Sequence, residues 1–237
     1  MSRPTHIYII SAARPRIGKT LLARALTEFY RVDGRPVFAF DINPEDSALA
    51  QFLPKFTTVA DIASIKGQMA LFDQLIVGDE KPKVIDLAAA SFIPFFTLMN
   101  EINFLGEARN RAIELVVLFF ANPDDRSIST YGEFTQRHRT LSFVPVFADG
   151  APASLRGSFP SQGRLALSLQ MPPLSPALRN VVDKPPFSFA VFKRGLAPEL
   201  PEALGSELNA WIKRVFLQFR EMELRILLTK LSSSIGP

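Results

Sequence analysis

The sequence contains no cysteine and only two histidines among its 237 residues. Without thiols the chain can form neither disulfide bonds nor a thiolate metal site, and the isolated His6 and His138 leave little material for a zinc centre. Isolated histidines are more often hydrogen-bonded structural residues than catalytic groups. The sequence therefore favours neither a disulfide-stabilised domain nor a zinc enzyme.

Long hydrophobic segments are lacking as well. The first apolar run, Ile7 to Ile10, is too short for the core of a signal peptide. No stretch approaches the roughly 20 apolar residues that a transmembrane helix needs. A net charge of +4 permits weak contact with nucleic acid or an anionic membrane without requiring it. We expect a cytoplasmic protein that touches a membrane or the nucleoid only peripherally.

Short apolar runs alternate with helical patterns along the chain. Strands are predicted at Ile7 to Ile10, Pro36 to Phe40, Lys83 to Leu87, Ile113 to Phe120 and Leu141 to Phe147. Helices are predicted at Lys19 to Val32, Ser64 to Val77, Phe92 to Phe104 and Ser127 to Thr140. This alternation predicts an α/β fold, a largely parallel central sheet with helices on both faces, in a single domain over residues 1–237.

The last third of the chain has a different composition. Proline, glycine and serine rise between Ala148 and Pro186, with one more strand predicted at Arg164 to Leu169, as at an elaborated edge of the same domain. Ser206 to Leu231 is predicted to form an amphipathic helix whose wide apolar stripe includes Leu227. Such a stripe normally packs on the domain's own sheet, and the alternative is a helix that binds a membrane surface or a partner.

The loop after the first strand is the clearest motif. It ends in Gly18-Lys19-Thr20 and leads into a helical pattern, which is the order strand, loop, helix of a phosphate-binding loop. Such a loop supplies backbone N–H groups, a lysine for the β/γ oxygens and a hydroxyl for Mg²⁺. The first glycine of the usual G-x-x-x-x-G-K-[ST] pattern is replaced by Ala13. Without a ligand, the same residues would form a surface loop with a capping Thr20 and a solvated Lys19.

Two aspartates stand at predicted strand ends. Asp41 follows the second apolar run, and Asp86 ends the run Lys83-Val84-Ile85. Ligands of open α/β sheets bind at the carboxyl ends of the strands, where a carboxylate can support Mg²⁺. An aspartate at a strand end can also be only a turn former. The order of the three elements favours the magnesium interpretation.

These elements resemble those of the ParA/MinD family of deviant Walker A ATPases, which implies that the α/β fold is of the P-loop NTPase type. The family loop K-G-G-x-G-K-[ST] aligns with Arg14 to Thr20, and its D-x-D-P-Q element resembles Asp41-Ile42-Asn43-Pro44-Glu45. Its Walker B strand resembles Val84-Ile85-Asp86, and its T-x-P-[DE]-x-x-S turn is similar to the end of the segment Phe119 to Ser127. The resemblance covers the chain from its start to about Thr140.

The resemblance implies a nucleotide switch that binds ATP and Mg²⁺, forms a face-to-face homodimer and recruits DNA, membrane or a cargo protein until slow hydrolysis releases it. Lys19 would hold the β/γ-phosphates, Thr20 would ligate Mg²⁺, and Asp86 would support the ion. Asp41 would orient the attacking water or the metal, and Arg14 stands where the family's signature lysine reaches across the dimer. The nucleotide-binding residues would be Ala13, Arg14, Arg16, Ile17, Gly18, Lys19 and Thr20.

The loop also departs from the family pattern. Pro15 has no N–H for the cradle, and Arg16 replaces a glycine. Many members place an adenine-contacting Asn where this chain has Ala148-Asp149. A second hypothesis is therefore a pseudo-ATPase, an interaction module that keeps the fold without nucleotide. A third is a ligase or transferase that activates a carboxylate with ATP, although no acceptor-substrate residues stand out.

Overall fold

The computed structural model describes residues 4–43, 45–163 and 165–234, with side chains described up to residue 228. Pro44 of the family-like element and Arg164 of the predicted strand lie outside the described residues. The chain forms two compact units, Met1–Val117 and Leu118–Pro237. The expectation of one domain over residues 1–237 stays a prediction.

The first unit alternates strands and helices. Its elements are β1 (Thr5–Ser11), α1 (Lys19–Val32), β2 (Phe38–Ile42), α2 (Ala48–Phe52), β3 (Thr57–Val59), α3 (Ile65–Leu75), β4 (Lys83–Leu87), α4 (Phe92–Glu101) and α5 (Phe104–Asn110). β5 (Ile113–Phe120) begins in this unit and ends in the second. The second unit continues with α6 (Asp125–Arg137), β6 (Ser142–Ala148), α7 (Ala153–Ser158), β7 (Leu169–Met171), α8 (Pro176–Val182), α9 (Phe189–Lys193) and α10 (Glu202–Ser234).

The strands form one seven-stranded parallel sheet in the order β3-β2-β4-β1-β5-β6-β7. β4 lies between β1 and β2, so two consecutive strands of the predicted pattern are separated by a later one. Parallel neighbours need crossover connections, and the helices between the strands supply them. The predicted α/β class is confirmed.

Several predicted bounds agree closely with the structure. α1, β4 and β5 have the predicted ends, because each is a continuous apolar or helix-forming segment. The predicted helix Phe92 to Phe104 ends too late, since α4 ends at Glu101 and Phe104 begins a separate helix, α5, after Asn103 with φ 50°. Asparagine tolerates this left-handed conformation, and the apolar spacing continues across it, so the pattern hides the break.

The strand predicted at Arg164 to Leu169 is also wrong in position. β7 covers Leu169–Met171 and pairs with β6, from Val146 opposite Leu169 to Ala148 opposite Met171. Leu165 and Leu167 are buried without belonging to a strand. Because the segment packs with one face inward, these leucines alternate with more exposed residues and give the segment the two-residue period of a strand.

α1 is buried on all sides. Every residue from Leu22 to Tyr30 is buried, including Arg24, Thr27 and Glu28. A helix in this position must satisfy its polar side chains inside the protein, as Thr27 does by donating to the carbonyl of Ala23 at 2.8 Å. The N-terminus of α1 is therefore held firmly at the end of the phosphate-loop motif.

The C-terminal helix packs within the second unit. Its buried stripe includes Leu208, Ile212, Val215 and Phe219, and Trp211 Nε1 donates to the carbonyl of Pro172 at 2.9 Å. The packing interpretation of this stripe is thus the one observed, except that Leu227, predicted to widen it, is 47% exposed. In the part of the chain that the structure describes, α10 and the other helices lack an apolar stretch of the length a membrane span requires.

A buried lysine offers a test of the fold of the first unit. Lys83 is 1% exposed at the start of β4, and its Nζ donates to the Val77 carbonyl at 2.6 Å and to Asp79 Oδ1 at 3.1 Å. We expect Asp79→Ala to lower the free energy of unfolding by about 1 to 3 kcal/mol, because it leaves a buried ammonium with one acceptor fewer. Urea unfolding measures this.

The control for that experiment is Asp73→Ala, which removes an exposed carboxylate from α3 of the same unit. It should change the unfolding free energy by less than about 0.5 kcal/mol. Equal effects of the two substitutions would show that the Lys83–Asp79 pair contributes nothing specific.

Candidate phosphate-binding site

Three neighbouring strands bring the two aspartates to one level of the sheet. In the parallel pairing, Asp41 of β2 lies opposite Asp86 of β4, and Asp86 lies opposite Ile10 of β1. Paired residues of parallel strands point to the same face, so both carboxylates lie on one side of the sheet near its carboxyl edge. Asp41 is 1% exposed and Asp86 is 5% exposed, so two acidic groups are buried side by side.

The N-terminus of α1 meets this acidic pair. Thr20 Oγ1 donates a hydrogen bond to Asp86 Oδ2 at 2.6 Å. Because the hydroxyl proton is used in this bond, the lone pairs of the Thr20 oxygen are left for another partner. Burial lowers the pKa of the neighbouring Lys19, and the negative charge of Asp86 opposes that shift. Lys19, Thr20 and Asp86 thus form one electrostatic group, as the motif predicts.

Asp41 is held by a helix that the sequence pattern does not reveal. Its Oδ2 accepts hydrogen bonds from the backbone N–H groups of Leu49 at 2.9 Å and Ala50 at 3.3 Å. These are free donors in the first turn of α2, where the N-cap residue Ser47 makes no side-chain bond. Asp41 Oδ1 is buried and has no hydrogen-bond partner among the described residues. One buried carboxylate oxygen is therefore available to a ligand, a cation or water.

Both carboxyl groups bind protons more tightly than usual. Burial is the largest cause that raises the pKa of Asp41 to about 7, and the negative charge of Asp86 raises it further. The charge of Asp46 adds a smaller increase, whereas the hydrogen bonds from the α2 N–H groups lower the pKa. Burial also raises the pKa of Asp86, against the Thr20 hydrogen bond and the charge of Lys19. A cation that enters the site would stabilise the ionised form of both carboxyl groups.

The loop between β1 and α1 adopts a bent conformation without the usual glycines. Gly18 has φ 96°, and Arg16 has φ 59°, in the left-handed region that favours glycine. Arg14, Pro15 and Arg16 are exposed, whereas Ala13 is buried and Ile17 and Lys19 are half-buried. The chain thus keeps the left-handed turns of a cradle while presenting two arginines, and Pro15 offers no N–H to an anion.

Two aspartates in the family-like segments of the second unit have local roles there. Asp124 caps α6, accepting from the N–H of Ser127 at 3.1 Å and from its hydroxyl at 2.9 Å, as the family-like turn suggests. Asp149, near the expected adenine contact, is engaged by both terminal nitrogens of Arg214 at 3.0 and 2.8 Å. That ion pair is exposed, and it occupies both carboxylate oxygens of Asp149.

Sequence reasoning missed several residues that belong to the site. The N–H groups of Leu49 and Ala50 could not be found by residue type, because the backbone supplies the contact. Asp46 acts on both carboxylates through its charge, and its place within the D-x-N-P-E-D segment was the available signal.

The strained loop residue predicts a stabilising substitution. Arg16→Gly should raise the free energy of unfolding by about 0.5 to 1 kcal/mol, because glycine adopts φ 59° without the clash of a side chain. Thermal or urea unfolding without ligand tests this. The matched control is Arg14→Gly, at an exposed position without positive φ, which should lower stability by a similar amount. A destabilising Arg16→Gly would contradict the strain.

The acidic pair predicts a pH dependence of folding. Because the pKa of Asp41 rises from 3.8 to about 7 on folding, the native state holds an extra proton between these pH values. Raising the pH through this window therefore destabilises the native state. Relative to Asp41→Asn, the wild type should lose about 1 to 3 kcal/mol of unfolding free energy between pH 5 and pH 8.

Urea titrations at several pH values measure that difference. Asp73→Asn removes an exposed aspartate of the same unit and should differ from the wild type by a constant amount over this range. A difference between wild type and Asp41→Asn that does not change with pH would mean that Asp41 is ionised without penalty.

No family model matches the sequence, and no curated protein matches it. The resemblance to ParA/MinD ATPases therefore rests on the quoted motifs, and the fold class rests on the structure. The site is defined by its own geometry: a lysine and a hydroxyl at a helix N-terminus, facing two buried carboxyl groups on adjacent strands.

Proposed function

We propose that the chain is a ParA/MinD-like ATP-binding switch that dimerises around nucleotide and positions a partner protein, a cargo or a membrane- or nucleoid-associated complex. The observation that carries the proposal is the hydrogen bond from Thr20 to Asp86 beside the unbonded oxygen of Asp41. This arrangement concentrates oxygen ligands and negative charge at the end of a helix that favours anions. Such a combination suits a magnesium–polyphosphate complex better than either ion alone.

The residues present fit Mg²⁺ in character. Mg²⁺ prefers hard oxygen ligands and is usually held by one or two carboxylates together with substrate phosphates and water. Thr20 and Asp41 would offer oxygen atoms, and Asp86 would orient the Thr20 hydroxyl and add charge. Within the described residues, His, Cys, Asp and Glu form no cluster of three suited to a metal ion, so phosphate oxygens would complete the coordination. When bound, the ion would neutralise charge on the phosphates.

Lys19 would bind the phosphates from the other side. Burial lowers the pKa of Lys19, and the negative charge of Asp86 raises it. The ammonium is therefore partly desolvated, which would strengthen its contact with an anion. Gly18 and Ile17 would contribute backbone N–H groups at the turn. Arg14 and Arg16 would add positive charge from the exposed side of the loop, Arg14 toward the partner subunit's nucleotide as the resemblance implies.

Asp41 would act on water. Its Oδ1 is buried and has no hydrogen-bond partner among the described residues, so it could accept a proton from an attacking water once a cation in the site keeps the carboxyl group ionised. The slow hydrolysis of the proposal is taken from the resemblance to the ParA/MinD ATPases.

A second candidate function is a pseudo-ATPase that keeps the fold as an interaction module. The observation that favours it is Pro15, an exposed residue without an N–H in the middle of the loop. In that case the Thr20–Asp86 bond would only help to maintain the fold, and the two buried carboxyl groups would have no ligand. The two functions differ in one measurable property, magnesium-dependent nucleotide binding.

The test is calorimetry of ATP binding with and without Mg²⁺, coupled to a measurement of molecular mass. The wild type should bind with submillimolar affinity in Mg²⁺ and change from monomer to dimer. Lys19→Ala should weaken binding by about 10- to 100-fold and abolish the nucleotide-dependent dimer, because it removes a charge-assisted contact.

Lys66→Ala is the matched control, since Lys66 is exposed on α3 of the same unit. It should bind and dimerise as the wild type does. If Lys19→Ala also dimerises normally with ATP, the switch mechanism is wrong. If the wild type shows no magnesium-dependent binding at all, the pseudo-ATPase interpretation replaces it.

A further inference from the structure

α1 carries a buried arginine that stacks on an aromatic ring. Arg24 is 1% exposed, and its guanidinium carbon lies 3.4 Å from the centroid of the Phe52 ring. A planar guanidinium is suited to stacking, and the interaction strengthens when water is excluded. Arg24 therefore makes a specific link from α1 to the last residue of α2.

α2 is held at both of its ends. It has only five residues, and an isolated helix of this length is not stable in water. Its first turn donates N–H groups to Asp41, and its last residue, Phe52, lies under Arg24. Its position is set by these two contacts together with the packing of Leu49, which is 0% exposed.

The two contacts complete a closed series of contacts that includes the candidate site. Arg24 lies one helical turn after Thr20, which bonds to Asp86 at 2.6 Å. Asp86 is opposite Asp41 in the sheet, Asp41 accepts from α2, and Phe52 of α2 returns to Arg24. All residues of this closed series belong to the first unit.

We propose that Arg24 and Phe52 are positioning residues, which hold α2 so that its N–H groups occupy Asp41 Oδ2 and leave Oδ1 available to the ligand. The proposal rests on the proposed function only for the identity of that ligand. If α2 shifts, the carboxylate loses its fixed hydrogen bonds and can rotate, so both of its oxygens lose their defined roles. Neither residue needs to contact the nucleotide.

The chain contains a matched control for this stacking pair. Arg31, also on α1, has its guanidinium carbon 3.6 Å from the centroid of the Phe56 ring. Phe56 lies between α2 and β3 and is 38% exposed. This second stack joins the same helix to the same stretch of chain, but it lies outside the link between α2 and Asp41.

The experiment is a double-mutant cycle between Phe52→Leu and Asp41→Ala, with Phe56→Leu as control. Affinity for ATP is measured by calorimetry with and without Mg²⁺. Phe52→Leu should weaken magnesium-dependent binding about fivefold or more, as loss of a desolvated cation–π contact implies. In the Asp41→Ala background it should change affinity by less than about twofold, because the group it positions is absent. Phe56→Leu should stay within about twofold in both backgrounds.

Two additional variants separate positioning from folding. Phe52→Tyr keeps the ring at a half-buried position and should restore wild-type affinity, whereas Arg24→Lys keeps the charge without the planar group and should behave as Phe52→Leu does. The same cycle measured by urea unfolding without nucleotide should show coupling between Asp41 and Phe52 and none between Asp41 and Phe56.

The proposal is overturned if Phe52→Leu weakens binding equally with and without Asp41, or if Phe56→Leu has the same effect. Failure of the wild type to bind ATP would refute the proposed function alone. The unfolding cycle would then decide the positioning role, since additive effects of Asp41→Ala and Phe52→Leu on stability would refute it independently.

Discussion

The lateral register of β2, β4 and β1 is the constraint on which the site depends. It sets Asp41 and Asp86 opposite each other on one face of the sheet, where both are buried. Two buried carboxyl groups on laterally paired residues are unfavourable unless protons, hydrogen-bond donors or cations compensate their charge. The Thr20 hydroxyl, the Lys19 ammonium and the first turn of α2 supply the compensation. A register shift of one residue would turn a carboxylate to the opposite face and remove the site.

α1 connects the parts of the site because it is buried on all sides. Its first turn carries Lys19 and Thr20 to Asp86, and its next turn carries Arg24 to Phe52 and α2. A helix exposed on one face would have room to shift when a ligand binds, whereas this one is fixed by packing around its whole circumference. α2 differs from it, because it has only five residues and its first turn donates to Asp41.

The loop combines a left-handed backbone with exposed positive charge. Gly18 and Arg16 have positive φ, and the side chains of Arg14 and Arg16 are exposed. Arginine in a left-handed conformation costs stability that glycine would not. Strained residues cluster at functional sites, so we expect the guanidinium of Arg16, which glycine would lack, to be the reason that arginine stands here.

Much of the fold was accessible from sequence because local pattern sets strand and helix type. The continuous apolar runs of β4 and β5 and the composition of α1 predicted those elements to the residue, and the two aspartates were predicted at strand ends. α2 and β3 were missed because elements of five and three residues are too short to show a period. Nothing in the local pattern distinguishes Arg24 from an ordinary polar residue of a helix, whereas the structure buries it and places it over Phe52 of another element. The sequence by itself determined which groups could serve a phosphate site and in what order they occur. Only the tertiary structure decided that Asp41 is held by the backbone of α2 and faces Asp86, because both contacts join segments that local patterns cannot relate.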